Sequence, residues 1–492
     1  MLLSELFLGN TVEWRSFRDV SIAGVTKLPR KVKPGWLYAA CNGEPEQVNE
    51  AMEKGATAIL MPYHLSQQVR TFPIPTALAN NCWRMYAQIC AQYYRHPERQ
   101  LRFIAVTGTK GKTTVCHLLE AIFLHAGYQV GLISSICRRT NMWCCESDCT
   151  TPPPESLYSI LTHMLSSRVN LVILEASSIG LSEERLYGLP IDGAGFTNLG
   201  SDHLSYHGNE KDYFSAKAKL FITFRPSRQQ PLLSVINLDT PFGLTLMGLA
   251  KGRIVTYGAN AGDLIYRDII GSTGSLGGML SGIPISTSLK GNHNAANIAC
   301  ALLLAKHLGA PTDAIQAGIA SVATVPGRLE EIHDRIYVDY AHTPESVHCV
   351  LDTIGKVHPN TPIVAVIGCG GGTDRSKRKM IGRELLTRCA AVVLTSDNPR
   401  WENPATIIAD MVGLSAYDDL KILMNLDRAL AIRKGVALWK DMSGVLLVLG
   451  KGHERYQEIR GNWIPFSDSS ELRTALKEAG ILVRTHESDT LK

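Results

Sequence analysis

The segment AVTGTKGKTTV, residues 105–115, constrains this chain more than any other. It follows the apolar run Phe103–Val106 and precedes the amphipathic stretch Thr114–Ala126, so strand, glycine loop and helix come in the order that a phosphate-binding loop requires. Glycines 108 and 111 let backbone N–H groups approach phosphate oxygens, the helix N-terminus adds its dipole, and Lys112 can reach the terminal phosphates. Thr113 is placed to ligate magnesium. The longer form of the loop has glycine where Val106 stands, so the match is to a shorter variant. Such a unit belongs to α/β architecture and points to ATP binding with hydrolysis or transfer. The reaction itself must be read from residues downstream.

A chain of 492 residues, at roughly 100 to 200 residues per domain, holds two to four domains. Hydrophobic periodicity divides it into three α/β blocks. Residues 1–100 mix short strands (Trp36–Ala40, Ala56–Met61) with helical stretches such as Gln47–Lys54, and the polar segment 95–100 reads as a connector. Residues 101–325 carry the phosphate loop, strands at Leu171–Leu174 and Ser234–Asn237, and an apolar helix within 291–310 stopped by Gly309. Residues 326–492 repeat strands (Ile336–Tyr340, Ile363–Ile367, Ala391–Thr395, Val445–Leu449) that end in glycine or polar loops. That is the layout of a Rossmann-like, doubly wound parallel sheet with ligands at the strand C-terminal ends.

Composition narrows the partners. Fifty Lys and Arg against 45 Asp and Glu give +5, and no basic run is interleaved with aromatics, so no nucleic-acid partner is expected. The longest apolar stretches are strand-length, which argues against a membrane span. Acidic residues stand where a signal peptide needs a basic start, so the chain is expected in the cytoplasm, as a monomer acting on small molecules. Its twelve cysteines then read as reduced thiols; Cys144, Cys145 and Cys149, without zinc spacing, read as loop thiols.

Glu175, at the end of a buried strand in LEASS, is well placed for a magnesium ion near the phosphate loop. The segment 196–221 gathers Asp202, His203, His207, Lys217 and Lys219. By itself that cluster would read as a polar surface loop.

Nine motifs in order change this reading: GTKGKTT (108–114), TTP (150–152), EASS (175–178), FTNLGSDHLSYHG (196–208), AK (216–217), VPGRLE (325–330), DYAHTP (339–344), DNPR (397–400) and GKGHERYQ (450–457). Together they resemble the Mur ligase family, in the spacing of its UDP-N-acetylmuramoyl-tripeptide synthetase branch. The resemblance implies three domains: 1–100 for the UDP-linked substrate, 101–325 for ATP, 326–492 for the amino acid. It also implies that ATP phosphorylates a carboxylate of UDP-N-acetylmuramoyl-L-alanyl-D-glutamate and that an incoming amine attacks the acyl phosphate, in peptidoglycan precursor synthesis. The chemistry is sound, because a carboxylate is a poor electrophile and a mixed anhydride supplies a leaving group.

By the same resemblance, Lys112, Glu175, His203 and Lys217 are catalytic. Thr113, Glu175, His203 and Lys217 attend magnesium, with Lys217 carrying a carbamate formed from carbon dioxide; Lys219 is the less fitting lysine. A carbamate replaces a cation by an anion, which suits a site beside a metal. Gly108, Thr109, Lys110, Gly111, Lys112, Thr113, Thr114, Asn294, Arg328 and Asp339 are assigned to ATP, with His293 and Asn297 on the same helix as Asn294. Thr150, Thr151, Ser178 and Arg185 are assigned to the UDP substrate. Arg375, Asp397, Asn398, Arg400, Gly450 and Glu454 are assigned to the amino acid. DNPR resembles the version that selects meso-diaminopimelate: Arg400 can grip the distal carboxylate with two hydrogen bonds while Glu454 takes the ammonium. L-Lysine, lacking that carboxylate, would leave Arg400 unpaired at a cost of roughly 1 to 3 kcal/mol.

Several positions depart from the family pattern: Lys110 for Asn, Ile179 for His, Ser201 for Arg, and SDSSE at 467–471 for an Asp-Asp-Arg-Glu run. In the first block only 32–40 and 54–60 resemble the family, and Thr26–Arg30 stands in place of an Asp-Ser-Arg turn. A second reading therefore stays open, a family member that joins another amino acid such as L-lysine or extends another carboxylated carrier. A nucleotide-binding regulator without the chemistry is disfavoured by the retained Lys112, Glu175, His203 and Lys217.

Overall fold

Short apolar runs bounded by glycine or polar loops become strands buried on both faces, and that rule organises all three parts of the molecule. The computed structural model describes residues 1–69, 73–200, 202–223, 231–272, 275–413 and 421–482. The first part is a five-stranded sheet in the order Glu13–Ser16, Thr76–Ala79, Ala56–Pro62, Trp36–Ala39, Gly24–Thr26. Its helix Cys82–Tyr93 is capped by Asn81, whose side chain accepts from the Arg84 N–H. Tyr86, Ile89 and Cys90 of that helix share an apolar cluster with Phe103, Leu157 and Leu161 of the second part.

The second part is a nine-stranded sheet. Its order is Leu264–Ile265, Arg253–Gly258, Leu233–Asn237, Ile191–Phe196, Arg102–Thr107, Leu171–Glu175, Val130–Ile133, Cys137–Arg139, Cys144–Glu146. The strand before the phosphate loop lies at its centre, parallel to both neighbours. The two last strands pair antiparallel, Arg138 opposite Cys145. Here the structure corrects the sequence reading: Cys144 and Cys145 lie in an edge strand rather than a loop, because their backbone completes that hairpin. All twelve cysteines are free, and among the described residues no three His, Cys, Asp or Glu side chains are grouped to hold a metal ion.

The third part is a six-stranded sheet, Glu330–His333, Ile336–Asp339, Val445–Leu449, Ile363–Ile367, Ala391–Thr395, Lys421–Asn425, parallel except for its first pair. Val445–Leu449 returns from the far side of the sheet to lie between the two earliest parallel strands, so the order reverses there and a crevice opens at the strand C-terminal ends. The α/β class and the strands read from periodicity are found within one or two residues of their expected limits. Among the described residues no helix is long and apolar enough to cross a membrane.

Candidate active site

The loops at the C-terminal ends of the central strands form a cleft of about 490 Å³. Gly108 (φ +146°) and Gly111 (φ +87°) adopt left-handed backbone, and a Cβ at either would collide with Thr197 or Asn297. Gly108→Ala is therefore expected to weaken nucleotide binding by displacing the loop, measurable as a raised KM for ATP. The loop is strapped to the next strand end: the Lys110 N–H donates to Asn198 Oδ1 at 2.9 Å, and the Thr197 hydroxyl to the Lys110 carbonyl at 2.6 Å. Lys112 Nζ curls back onto the carbonyls of Gly108 (2.9 Å) and Thr109 (3.0 Å). Burial pushes its pKa down, partly offset by Glu175.

Beneath the loop runs a chain of oxygens. Thr113 Oγ1 lies 3.2 Å from Ser135 Oγ, which lies 3.2 Å from Glu175 Oε1, and the Ser135 N–H donates to the same carboxylate oxygen at 2.8 Å. Glu175 is 1% exposed. Ser135 was not singled out from the sequence; its only signal is its place at the end of a strand beside the loop. Thr114 is buried in the first turn of the loop helix, and Lys110 Nζ pairs with Asp202 at 3.5 Å. Burial tends to raise the Asp202 pKa, but Lys110, His342 and His203 outweigh it and hold the carboxyl well below the usual range.

His203 lines the same cleft with φ +54° at the start of a short helix. Lys217, on the helix Glu210–Ile222, reaches the loop from behind: Nζ donates to the Gly108 carbonyl at 2.9 Å and lies 4.4 Å from the centre of the Tyr213 ring. Burial, and then Lys112, push its pKa far down. Lys219 points elsewhere, to Glu184 at 3.3 Å. Of the two lysines, Lys217 reaches the phosphate loop and Lys219 does not.

Arg328 crosses to this cleft from the third part. Its NH2 donates to Thr113 Oγ1 at 3.2 Å, and its guanidinium stacks over Tyr340 at 4.8 Å. Asp339 accepts from the Leu329 N–H at 2.6 Å, which fixes the turn that carries Arg328. Asn294 lines the cleft, with its amide engaged by the Lys290 carbonyl and by Asn297. Of the threonine pair, Thr150 lines the cleft. Thr151 spends its hydroxyl on the Glu175 carbonyl and the Ser177 N–H. Arg185 holds the Thr151 carbonyl at 2.6 Å and pairs with Glu183, which Lys27 also reaches at 3.1 Å. Ser178 bonds His207 at 3.0 Å. Ile179 follows it on the same short helix, and Ser201 lies outside the described residues.

The expected amino-acid residues form a second cluster at the crevice of the third sheet. Asn398 Nδ2 donates to Glu454 Oε2 at 2.9 Å, and Gly450 packs against the Asp397 carboxylate. Arg400 Nε donates to Glu458 at 2.9 Å and NH1 to the Gly371 carbonyl at 2.5 Å. Arg375 is exposed and reaches Glu402 at 3.2 Å; Arg378, on the helix Ser376–Arg388 that follows it, is buried and held by Glu402 and Asp410. Lys451, within GKGHERYQ, is a further member of this cluster that no periodicity or spacing marks. Its ammonium is fully buried and donates to Asn398 Oδ1 (2.9 Å) and Glu454 Oε2 (2.8 Å). Tyr340 joins the two clusters: it lines the phosphate-loop cleft and its hydroxyl donates to Glu454 at 3.4 Å.

Comparison with known proteins shows what the chain is similar to. Residues 106–305 match the Mur ligase middle domain and residues 327–452 the Mur ligase, glutamate ligase domain. A relative from Aquifex aeolicus (strain VF5), named UDP-N-acetylmuramoyl-L-alanyl-D-glutamate--2,6-diaminopimelate ligase, is 34% identical over 95% of this chain and 96% of its own length. A Listeria monocytogenes serotype 4b (strain F2365) relative of the same name is 32% identical over 93% and 95%. Among solved structures, a ligase of that name superposes with TM-score 0.62 at 29% identity, covering 94% of this chain and 96% of the other. A Mycobacterium tuberculosis folylpolyglutamate synthase shares the fold at TM-score 0.59 and 18% identity, over 73% and 91%.

Proposed function

The chain belongs to the Mur ligase family, and from that premise we propose that it is an ATP-dependent ligase adding meso-diaminopimelate to UDP-N-acetylmuramoyl-L-alanyl-D-glutamate. The observation that carries this is the link from a phosphate-loop cleft, through Tyr340, to a crevice presenting Arg400. In the reaction, a carboxylate oxygen of the acceptor attacks the γ-phosphorus while the bond to ADP breaks. The amine of the incoming amino acid then attacks the carbonyl carbon, a proton leaves the nitrogen, and inorganic phosphate departs.

We assign residues 1–100 and the Thr150, Thr151, Ser178 and Arg185 region to the uridine nucleotide, 101–325 to ATP, and 326–492 to the amino acid. Lys112 and Arg328 neutralise the phosphates; Asn294 and Asp339 stand on the nucleoside side. Magnesium fits the oxygen chain Thr113, Ser135 and Glu175, since this ion takes one or two carboxylates and completes its shell with water and phosphate oxygens. When bound it would offset phosphate charge. We assign His203, which lines the same cleft, and Lys217, which reaches the loop from behind, to a second ion. A carbamate fits Lys217 because its buried nitrogen sits near the cations Lys110 and Lys112, with the Gly108 carbonyl as its hydrogen-bond partner and the Tyr213 ring beside it among the described residues.

The test is phosphate release with the muramoyl dipeptide nucleotide and a panel of amino acids. Turnover dependent on meso-diaminopimelate is expected, and its absence would overturn the reading. Arg400→Lys keeps the charge but loses the two-pronged grip, so KM for diaminopimelate should rise roughly 5- to 150-fold with KM for ATP unchanged. Equal loss for both substrates would mean that Arg400 does not read the amino acid.

A further inference from the structure

The sequence motif supplies an arginine for the distal carboxylate, and the fold adds a partner to it that the motif does not contain. Glu458 lies on the hairpin strand Tyr456–Ile459. That strand is tied to the DNPR loop by its backbone: the Arg400 N–H donates to the Glu458 carbonyl at 3.0 Å, and the Arg460 N–H to the Arg400 carbonyl at 2.8 Å. The side chains repeat the pairing, Arg400 Nε to Glu458 Oε2 at 2.9 Å. Arg400 keeps its NH2 group without a hydrogen-bond partner among the described residues, and Glu458 keeps Oε1 in the same condition. Both side chains are partly accessible, at 36% and 22%.

Glu454, four residues earlier, is differently placed. Its Oε2 already takes the Lys451 ammonium and the Asn398 amide, so its charge is largely balanced inside the protein. Among the described residues Arg400 and Glu458 therefore offer a ligand an open cation edge and, beside it, an open anion edge. A lone carboxylate meets attraction from Arg400 and repulsion from Glu458; a lone ammonium meets the reverse. Only an end group that carries both charges on one carbon is attracted at both edges.

Resting on the ligase reading above, we propose that Glu458 is a specificity-determining residue that pairs with Arg400 to select an amino acid with a zwitterionic distal end. Arg400 takes the distal carboxylate, and Glu458 Oε1 takes the distal ammonium that the motif resemblance gave to Glu454, whose Oε2 is held by Lys451 and Asn398. Glu458 thereby rejects side chains ending in a carboxylate alone, which Arg400 by itself would welcome.

The experiment compares the full-length chain and Glu458→Gln with meso-diaminopimelate, L-lysine (distal ammonium only) and 2-aminopimelate (distal carboxylate only), with the muramoyl dipeptide nucleotide and ATP saturating. In Glu458→Gln, KM for diaminopimelate is expected to rise about tenfold or more, while KM for 2-aminopimelate falls, so the preference between them collapses. KM for ATP should stay unchanged and reports that the variant is folded. An unchanged preference, or a lower KM for diaminopimelate as well, would overturn the role of Glu458, the latter making it a competitor for Arg400. A parallel loss for ATP would also overturn it, by placing the effect in the fold. Failure of the unsubstituted chain to use diaminopimelate would instead sink the ligase reading itself.

Discussion

Lys217→Ala is expected to lower turnover by about 10²-fold or more while leaving nucleotide binding largely intact. The lysine side chain is 1% exposed, and its nitrogen touches the Gly108 carbonyl and the Tyr213 ring face. Among the described residues no carboxylate pairs with it, although a buried ammonium ordinarily requires one. A purely structural lysine would be an expensive way to hold one carbonyl, so the position makes sense for a group that is modified or that meets substrate charge. Removing it leaves the loop hydrogen-bonded through Asn198 and Thr197, which is why ADP affinity, measured by titration calorimetry, should change far less than kcat. Added bicarbonate should stimulate the unsubstituted protein after carbon dioxide is stripped from the buffer and should do nothing for Lys217→Ala. An unchanged rate in the variant would remove Lys217 from the chemistry.

Asp468→Ala should cost about 3 to 5 kcal/mol of stability, because it strands a fully buried cation. Arg428 Nε and NH2 each donate to the Asp468 carboxylate at 2.7 Å, and both side chains are 0% exposed. The remaining donors of Arg428 reach the carbonyls of Ser396 (3.2 Å) and Leu449 (2.9 Å), the residues just before Asp397 and Gly450. The ion pair thus braces the two strand ends that carry the proposed amino-acid site. A denaturant midpoint should fall accordingly, and KM for the amino acid should rise with it. Replacing both partners by Leu should recover much of the stability, since removing the pair also removes the desolvated charge. A loss below about 1 kcal/mol for Asp468→Ala would show that Arg428 finds another anion.

Asp468 also shows where sequence reading stopped. In SDSSE the departure from the family run was visible, but nothing in the string says that its acid faces an arginine forty positions earlier, on the helix packed beside it. Lys451 gives the same lesson. It stands in a quoted motif, yet only the fold buries it and points its nitrogen at Asn398 and Glu454. The hairpin of Cys144 and Cys145 was missed because three-residue edge strands carry no periodicity; pairing with Cys137–Arg139 makes them.

What the sequence determined by itself was everything set by short-range physics. Apolar runs of four or five residues ending in glycine or polar loops are read directly as central strands, and 105–115 as a phosphate loop, because the same few neighbours create both the pattern and the structure. The ordered motifs identified the family. Which side chains meet across the chain was decided only by the tertiary structure: Arg328 on Thr113, Tyr340 on Glu454, Glu458 on Arg400, Arg428 on Asp468. Those pairings depend on strand order and crevice geometry, and a linear pattern holds no term for the distance between residues that only packing brings together.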